Sequence, residues 1–477
     1  MSLSDSIFIF CFLPIALLLF YIAREELREY ILVVFSLLFY AFGSRTYFLI
    51  LLAATAVNIV LARLISRAKE NALKTVLLVI GVIADVGLLS FYKFRLPANF
   101  IWEKLTGRLI FDTSLMLPLG ISFFTFKAIS MLADSYTGKA KLNKNPVHDA
   151  LYLTFFAQIT SGPLSRYNDL KNVSASLEKG FKRFDYISEG VYRFVIGIIK
   201  KLLIADNLGK ITTEVFGADY ASVSSAYLWL GSICFSLKLF YDFAGYSDMA
   251  IGITKMFGYD CPENFDYPYT TESVAGFWKR WHMSLSFWFR DYVYIPLGGS
   301  RNKTAFRTYV NLFVVWALTG IWHGASIHFV VWGLGYFVLI SLERLTGLPA
   351  KLKNGFAKGL YRTFTLLCIN FLWVMFNVTG FKQGVLFIKG MILPQSDELS
   401  LLRTGVLLKQ YGVFIAVAVI FCMPVAKAVK TFIDKKNIKA LTVVSECISF
   451  AVLAVLFILC VALSVSGQNS PFVYALF

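Results

Sequence analysis

A chain of 477 residues in which 57% are apolar, 17% aromatic and only 16% charged carries more hydrophobic surface than a water-soluble fold of that length can bury. That balance excludes a secreted soluble domain, a disordered chain and a coiled coil, and leaves a polytopic all-α membrane protein. The charge, 46 Lys+Arg against 29 Asp+Glu for a net +17, lies in short runs between apolar segments. It reads as cytoplasmic loops beside lipid headgroups rather than as a nucleic-acid surface.

Taken in chain order, the first apolar run, Ile7–Ala23, has no basic residue ahead of it and no small-residue cleavage site behind it. It reads as a retained membrane helix. Further runs follow at Ile31–Phe42, Tyr47–Ile65, Thr75–Phe94, Met116–Ala133, Ala150–Ile159, Ile187–Ala205, Ala226–Met256, Tyr309–Ile321, Phe329–Leu342, Phe364–Val378, Tyr411–Val429 and Leu441–Val465. Several are shorter than the roughly 20 helical residues that a hydrocarbon core of about 30 Å requires. Short segments interrupted by Gly or Pro must be shielded by protein or line a cavity, because lipid cannot satisfy freed backbone groups.

The expected organisation is therefore regular membrane helices over 1–110, a core of broken helices over 111–345 and regular helices over 346–477. About eleven or more membrane helices are expected in all. Basic loops at Ser66–Lys74, Lys139–Lys144, Lys279–Arg307 and Lys430–Lys439 predict cytoplasmic faces and an N-terminus outside. No internal repeat is apparent, which speaks against an inverted-repeat transporter.

Ionisable groups inside apolar runs are costly in lipid unless they face protein or water, so they mark candidate function. Asp85, Lys127, Lys238, Asp242 and Asp248 are such groups. Lys238 and Asp242 stand one helical turn apart and would pair structurally. The same residues, with Asp85 and Lys127, would also suit an ion or sugar path. Of four histidines, His148 lies in a polar stretch and reads as a loop residue. His323 sits between apolar helices with Gly320 and Gly324 near it, where a backbone or substrate can approach an imidazole closely. His282 follows Trp278-Lys279-Arg280-Trp281, and either histidine, read on its own, could equally be a hydrogen-bonded core residue.

His328, five residues past His323, is off its helical face, and the seven cysteines form no CxxC pair, so neither a metal site nor a disulfide framework is expected. Phosphate-binding GxxxxGK[ST], GxSxG and HExxH motifs are absent.

Three ordered stretches carry a resemblance: Asn264-Phe265-Asp266-Tyr267-Pro268-Tyr269, then Phe277 to Gly299 around Arg280-Trp281-His282, then Gly320-Ile321-Trp322-His323-Gly324-Ala325. Supporting stretches lie at Leu117–Phe123, Gln158–Pro163, Lys200–Asp206, Tyr241–Ala250 and Ser470–Phe477. Together they resemble the membrane-bound O-acyltransferases, in particular the bacterial branch containing alginate O-acetyltransferase, over nearly the whole chain. The resemblance implies a core of broken and tilted helices around a transmembrane tunnel, with His323 as the central catalytic histidine and His282 as the second. In two departures, Lys127 and Lys238 stand where many relatives carry glutamine, and Ile327-His328 replaces an aromatic-Asn pair.

Acyl transfer from a thioester to a hydroxyl needs a base and a stabiliser for the oxyanion. His323, desolvated and neutral, is the expected base, while His282 would orient substrate or donate to the oxyanion. Indole donors of Trp281 and Trp322, with Ser284, Asp242, Lys127, Lys238 and Arg290, complete the expected tunnel set. Acetyl-CoA is the expected donor, entering past Lys279, Arg280, Arg290, Arg301, Lys303 and Arg307, and no metal is expected. The resemblance further implies a multi-pass protein of the cytoplasmic (inner) membrane, an extracytoplasmic polysaccharide acceptor and an SGNH-type partner with a serine nucleophile. Two alternatives stay open: D-alanyl or acyl transfer from a carrier protein to a cell-wall polymer, and a transporter or channel.

Overall fold

The computed structural model describes residues 1–113, 115–170, 181–300, 304–436, 438–467 and 470–472. Its regular structure is helical, with no strand among the described residues. Arg301, Lys303 and residues 473–477 of the tail stretch lie outside the described residues. Among the described residues, six helices are long and apolar enough to cross a membrane. The chain forms two compact units.

The first unit takes residues 1–194 and 246–263. It contains α1 (Leu13–Ile22), α2 (Glu25–Gly43), α3 (Phe48–Arg67), α4 (Asn71–Thr106), α5 (Ile121–Tyr136), α6 (Pro146–Thr154) and most of α7 (Phe181–Ile199). Helix α5 is buried over most of its length, because α3 and α4 both pack on it. The apolar run predicted at Thr75–Phe94 is part of the longer helix α4, which carries Lys93, Arg95 and Pro97. Asp85 on α4 accepts a 2.8 Å hydrogen bond from Asn58 Nδ2 on α3, so this buried carboxyl has a structural partner.

His148 is not in a loop. Asn145 caps α6 by accepting from the Val147 N–H, which draws the polar stretch into a helix. His148 Nδ1 then lies 2.8 Å from Glu29 on α2.

The second unit takes residues 195–245 and 264–473. It holds α8 (Asp206–Phe216), most of α9 (Ser225–Met256), α10 (Val274–Trp278), α11 (Met283–Phe289), α12 (Ala305–His323), α13 (Ile327–Thr346), α14 (Leu348–Lys351), α15 (Gly355–Asn377), α16 (Phe381–Ile392), α17 (Glu398–Phe421), α18 (Val425–Lys436) and α19 (Lys439–Val465). Spans α13, α15, α17 and α19 are the long regular ones.

The expected interruption is confined to a narrower region than the sequence suggests. Helix α9 runs unbroken for 32 residues, since Ser225–Met256 contains no proline. The break falls after it, where α10 and α11 have only 5 and 7 residues and a π-helical turn follows at Arg290–Tyr294. A second π-helical turn, Lys200–Ala205, joins α7 to α8. Such turns often mark functional positions.

Helices α12 and α13 form a tight pair across the sharp connection at 324–326. A Cβ on Gly320 would lie 2.6 Å from the Phe329 carbonyl oxygen, and one on Gly333 would lie 2.5 Å from that of Trp316. Only glycine allows this approach, and it sets His323 at the end of α12 against the start of α13.

Candidate active site

His323 is the last residue of α12 and is 4% exposed. Its ring lies 4.4 Å from Trp322, 4.9 Å edge-on to Trp332 and 5.0 Å edge-on to Phe376, measured between centroids. The apolar faces of α12, α13 and α15 therefore enclose the imidazole. Each such aromatic pair adds about 0.5–1.5 kcal/mol beyond its burial, so the ring's position is well fixed.

His282 sits between the two short helices in a left-handed backbone conformation, φ 44° and ψ 52°. A non-glycine residue held there costs on the order of 1–3 kcal/mol, which the surroundings must offset. They do so through Asn264, a fully buried residue. Its Oδ1 accepts from Ser284 Oγ at 2.8 Å and from the Ser284 N–H at 3.3 Å, and lies 3.0 Å from His282 Nδ1. Its carbonyl oxygen accepts from the Met283 N–H.

The backbone N–H of Ser284 requires an oxygen at that amide position, and an oxygen only accepts, so His282 carries its proton on Nδ1. Neutral His282 thus presents Nε2 as an acceptor. A donor role toward an oxyanion would need the imidazolium, which burial disfavours, pulling the pKa of His282 down. His282 lies outside the six long spanning helices.

The two histidine segments are linked by rings. Phe243 packs edge-on against His282 with centroids 4.6 Å apart. The residue before His282, Trp281, meets Trp373 at 5.0 Å, Trp373 stacks on Trp332 at 5.8 Å, and Trp332 meets His323. The indole N–H groups of Trp281, Trp332 and Trp373 are buried without a hydrogen-bond acceptor among the described residues. Trp281, Trp322, Ser284, His282 and His323 therefore belong to one aromatic region of the second unit.

The other expected tunnel residues are placed differently. Lys127 belongs to the first unit, where its Nζ donates to Gln158 Oε1 at 2.8 Å and lies over the Tyr152 ring; Ser165 Oγ donates to the same Gln158 oxygen. Arg290 is exposed, with Nε 2.6 Å from Asp291 Oδ1. Lys238 does not form the expected ion pair with Asp242. The Asp242 carboxylate takes the buried Lys201 ammonium at 2.8 Å, and Lys201 also meets Asp206 at 2.8 Å, Ser470 Oγ and the Phe472 ring. The π-helical turn at Lys200–Ala205 shifts the helical register, and Lys201 there reaches both carboxylates.

In the sequence Lys201 stands beside Lys200 in the stretch Lys200–Asp206, with nothing local to mark its two carboxylate partners. A lysine inside the apolar run Ile187–Ala205 was the available signal. Lys201→Met should leave two buried carboxylates uncompensated and cost about 3–5 kcal/mol, read as a large fall in melting temperature in detergent.

A cleft of about 590 Å³ opens beside the His282 segment. Asp266, Tyr267, Thr270 and Arg280 wall one side, and Lys427, Thr431 and Lys435 of α18 face them. Arg280 donates to Thr270 Oγ1 at 2.8 Å, which fixes its guanidinium at this edge. Lys435 falls in the expected basic loop Lys430–Lys439, and Lys427 in the expected apolar run Tyr411–Val429. No group of His, Cys, Asp and Glu suited to a metal ion occurs among the described residues.

Comparison with known proteins adds to this geometry. A model of the membrane-bound O-acyltransferase family matches residues 145–381. "Probable alginate O-acetylase" of Pseudomonas aeruginosa is 35% identical over 391 residues, covering 80% of this chain and 73% of that one. Peptidoglycan O-acetyltransferase of Helicobacter pylori is 34% identical over 425 residues, covering 82% and 79%. Teichoic acid D-alanyltransferase of Bacillus subtilis is 30% identical over 271 residues, covering 54% and 67%.

Proposed function

Since the chain belongs to the membrane-bound O-acyltransferase family, we propose that this multi-pass enzyme takes acetyl from acetyl-CoA at the cytoplasmic face and delivers it for O-acetylation of an extracytoplasmic polysaccharide. The single observation carrying this reading is the placement of His323 and His282 in one ring-lined region of the second unit, on the segments matched by the family. The acetyl specificity and the polysaccharide acceptor are supported by the long matches to an alginate O-acetylase and a peptidoglycan O-acetyltransferase.

In the proposed step the acceptor oxygen attacks the thioester carbonyl carbon and the C–S bond breaks. His323 takes the hydroxyl proton and returns it to the departing thiolate, leaving an ester and a free thiol. His282, with its proton on Nδ1, accepts through Nε2 from a neighbouring hydroxyl of the acceptor molecule or from water, because the one proton of the reacting hydroxyl goes to His323. A buried indole such as Trp281 would stabilise the oxyanion by donating its N–H. The family resemblance suggests that an SGNH-type partner completes transfer to the polymer, and that the protein resides in the cytoplasmic membrane.

The basic cleft supports a phosphate-bearing donor, because Arg280, Lys427 and Lys435 converge on it. Lys427→Glu with Lys435→Glu is expected to raise KM for acetyl-CoA about tenfold with kcat largely kept, measured as free thiol release by purified protein. Thiol release from an acylated carrier protein but not from acetyl-CoA would replace this reading with D-alanyl or acyl transfer, the activity named for the shorter teichoic-acid match.

A further inference from the structure

A carboxylate outside every motif discussed so far controls the segment that bears His282. Glu343 is buried, 8% exposed, in the last turn of α13. A negative charge there opposes the dipole of its own helix. Its oxygens are spent on another one. Glu343 Oε1 accepts from the Val274 N–H at 2.7 Å and from Tyr361 OH of α15 at 2.9 Å, and Oε2 accepts from the Ala275 N–H at 2.8 Å.

These are the first two donors of α10, and Ser273 Oγ takes the third, from Gly276. Every open N–H of that five-residue helix is thereby satisfied, two of the three by a side chain from elsewhere. A helix this short has little rigidity of its own. It runs through Trp278 directly into Arg280, Trp281 and His282, while the helix that supplies Glu343 begins just after His323.

We infer that Glu343 is a positioning residue for acyl transfer, holding the His282 segment to the helix that follows His323. This rests on the reading that both histidines serve the transfer. Asn264 fixes the far end of the segment at His282 and Ser284, and Glu343 fixes the near end at Val274 and Ala275. Between these anchors the chain has only the remainder of α10 and a turn, and the far anchor is itself the left-handed His282. Releasing one anchor shifts the His282 imidazole without touching any substrate contact, and a displacement of about 1 Å at such a site costs on the order of 10²-fold in rate.

The test uses two variants that loosen the same anchor from opposite sides. Glu343→Gln keeps size but loses the charge and one acceptor. Val274→Pro removes only the N–H, at a first helical position where proline is favoured and after Ser273, whose extended backbone (φ −150°, ψ 158°) accommodates it. Glu343→Gln is expected to lower kcat per folded molecule about 10–100-fold while KM for acetyl-CoA stays within about threefold.

Val274→Pro should lower kcat in the same sense, and the double variant should fall no more than about twofold below Glu343→Gln, since both release one anchor of the segment. Wild-type kcat in folded Glu343→Gln, a rise confined to KM, or fully multiplicative losses in the double variant would overturn the inference. His282→Ala separates the two layers. Full activity in that variant removes the role given to His282 in the transfer and this inference with it, whereas an inactive His282→Ala beside a fully active Glu343→Gln removes this inference alone.

Discussion

Replacing His323 with alanine is expected to lower acetyl transfer about 10³-fold, within the 10²–10⁴ range typical of a lost general base. The imidazole is packed against Trp322, Trp332 and Phe376, so its removal leaves an apolar gap where the base stood. A 10³-fold loss corresponds to about 4 kcal/mol of transition-state stabilisation. Because the surrounding contacts are between apolar rings, the variant should still fold. Thiol release from acetyl-CoA, normalised to folded protein, checks the expectation, and a rate near wild type would remove His323 from the chemistry.

His282→Ala should cost less, about 10²-fold, because a group that orients the acceptor molecule is lost rather than the base itself. This variant also places alanine at φ 44°, which alanine tolerates poorly, so some stability is expected to go with the activity. His282→Asn provides the control. Asparagine adopts the left-handed conformation readily, so it should recover the stability that alanine loses. If alanine and asparagine both transfer acetyl at the wild-type rate, Asn264 and His282 form only a structural contact.

Both histidines could be found in the sequence because each is a scarce polar group beside an interruption in an apolar pattern. The membrane class and the broken region were legible for the same reason, since lipid penalises every exposed polar atom. What could not be read was which polar groups meet. Lys238 and Asp242 have the spacing of a pair, yet the π-helical turn brings Lys201 to Asp242 instead. His148 looked like a loop residue because its neighbours are polar, and its partner, Glu29, is 119 residues away.

Glu343 falls just beyond the apolar run ending at Leu342 and looks like an ordinary charged helix end. Its role depends on backbone donors contributed by a helix about seventy residues earlier, which no local pattern encodes. Lys127, a cation in an apolar run, donates to Gln158 and lies over the Tyr152 ring, partners that no local spacing predicts.

The most direct test follows the acetyl group itself. Native membrane vesicles are supplied with radiolabelled acetyl-CoA on the cytoplasmic face only, and base-labile label is counted in polymer accessible from the opposite face. Label is expected to accumulate with the wild-type protein and to fall to background with His323→Ala and with His282→Ala. Equal accumulation in wild-type and His323→Ala vesicles would contradict acetyl transfer through this site.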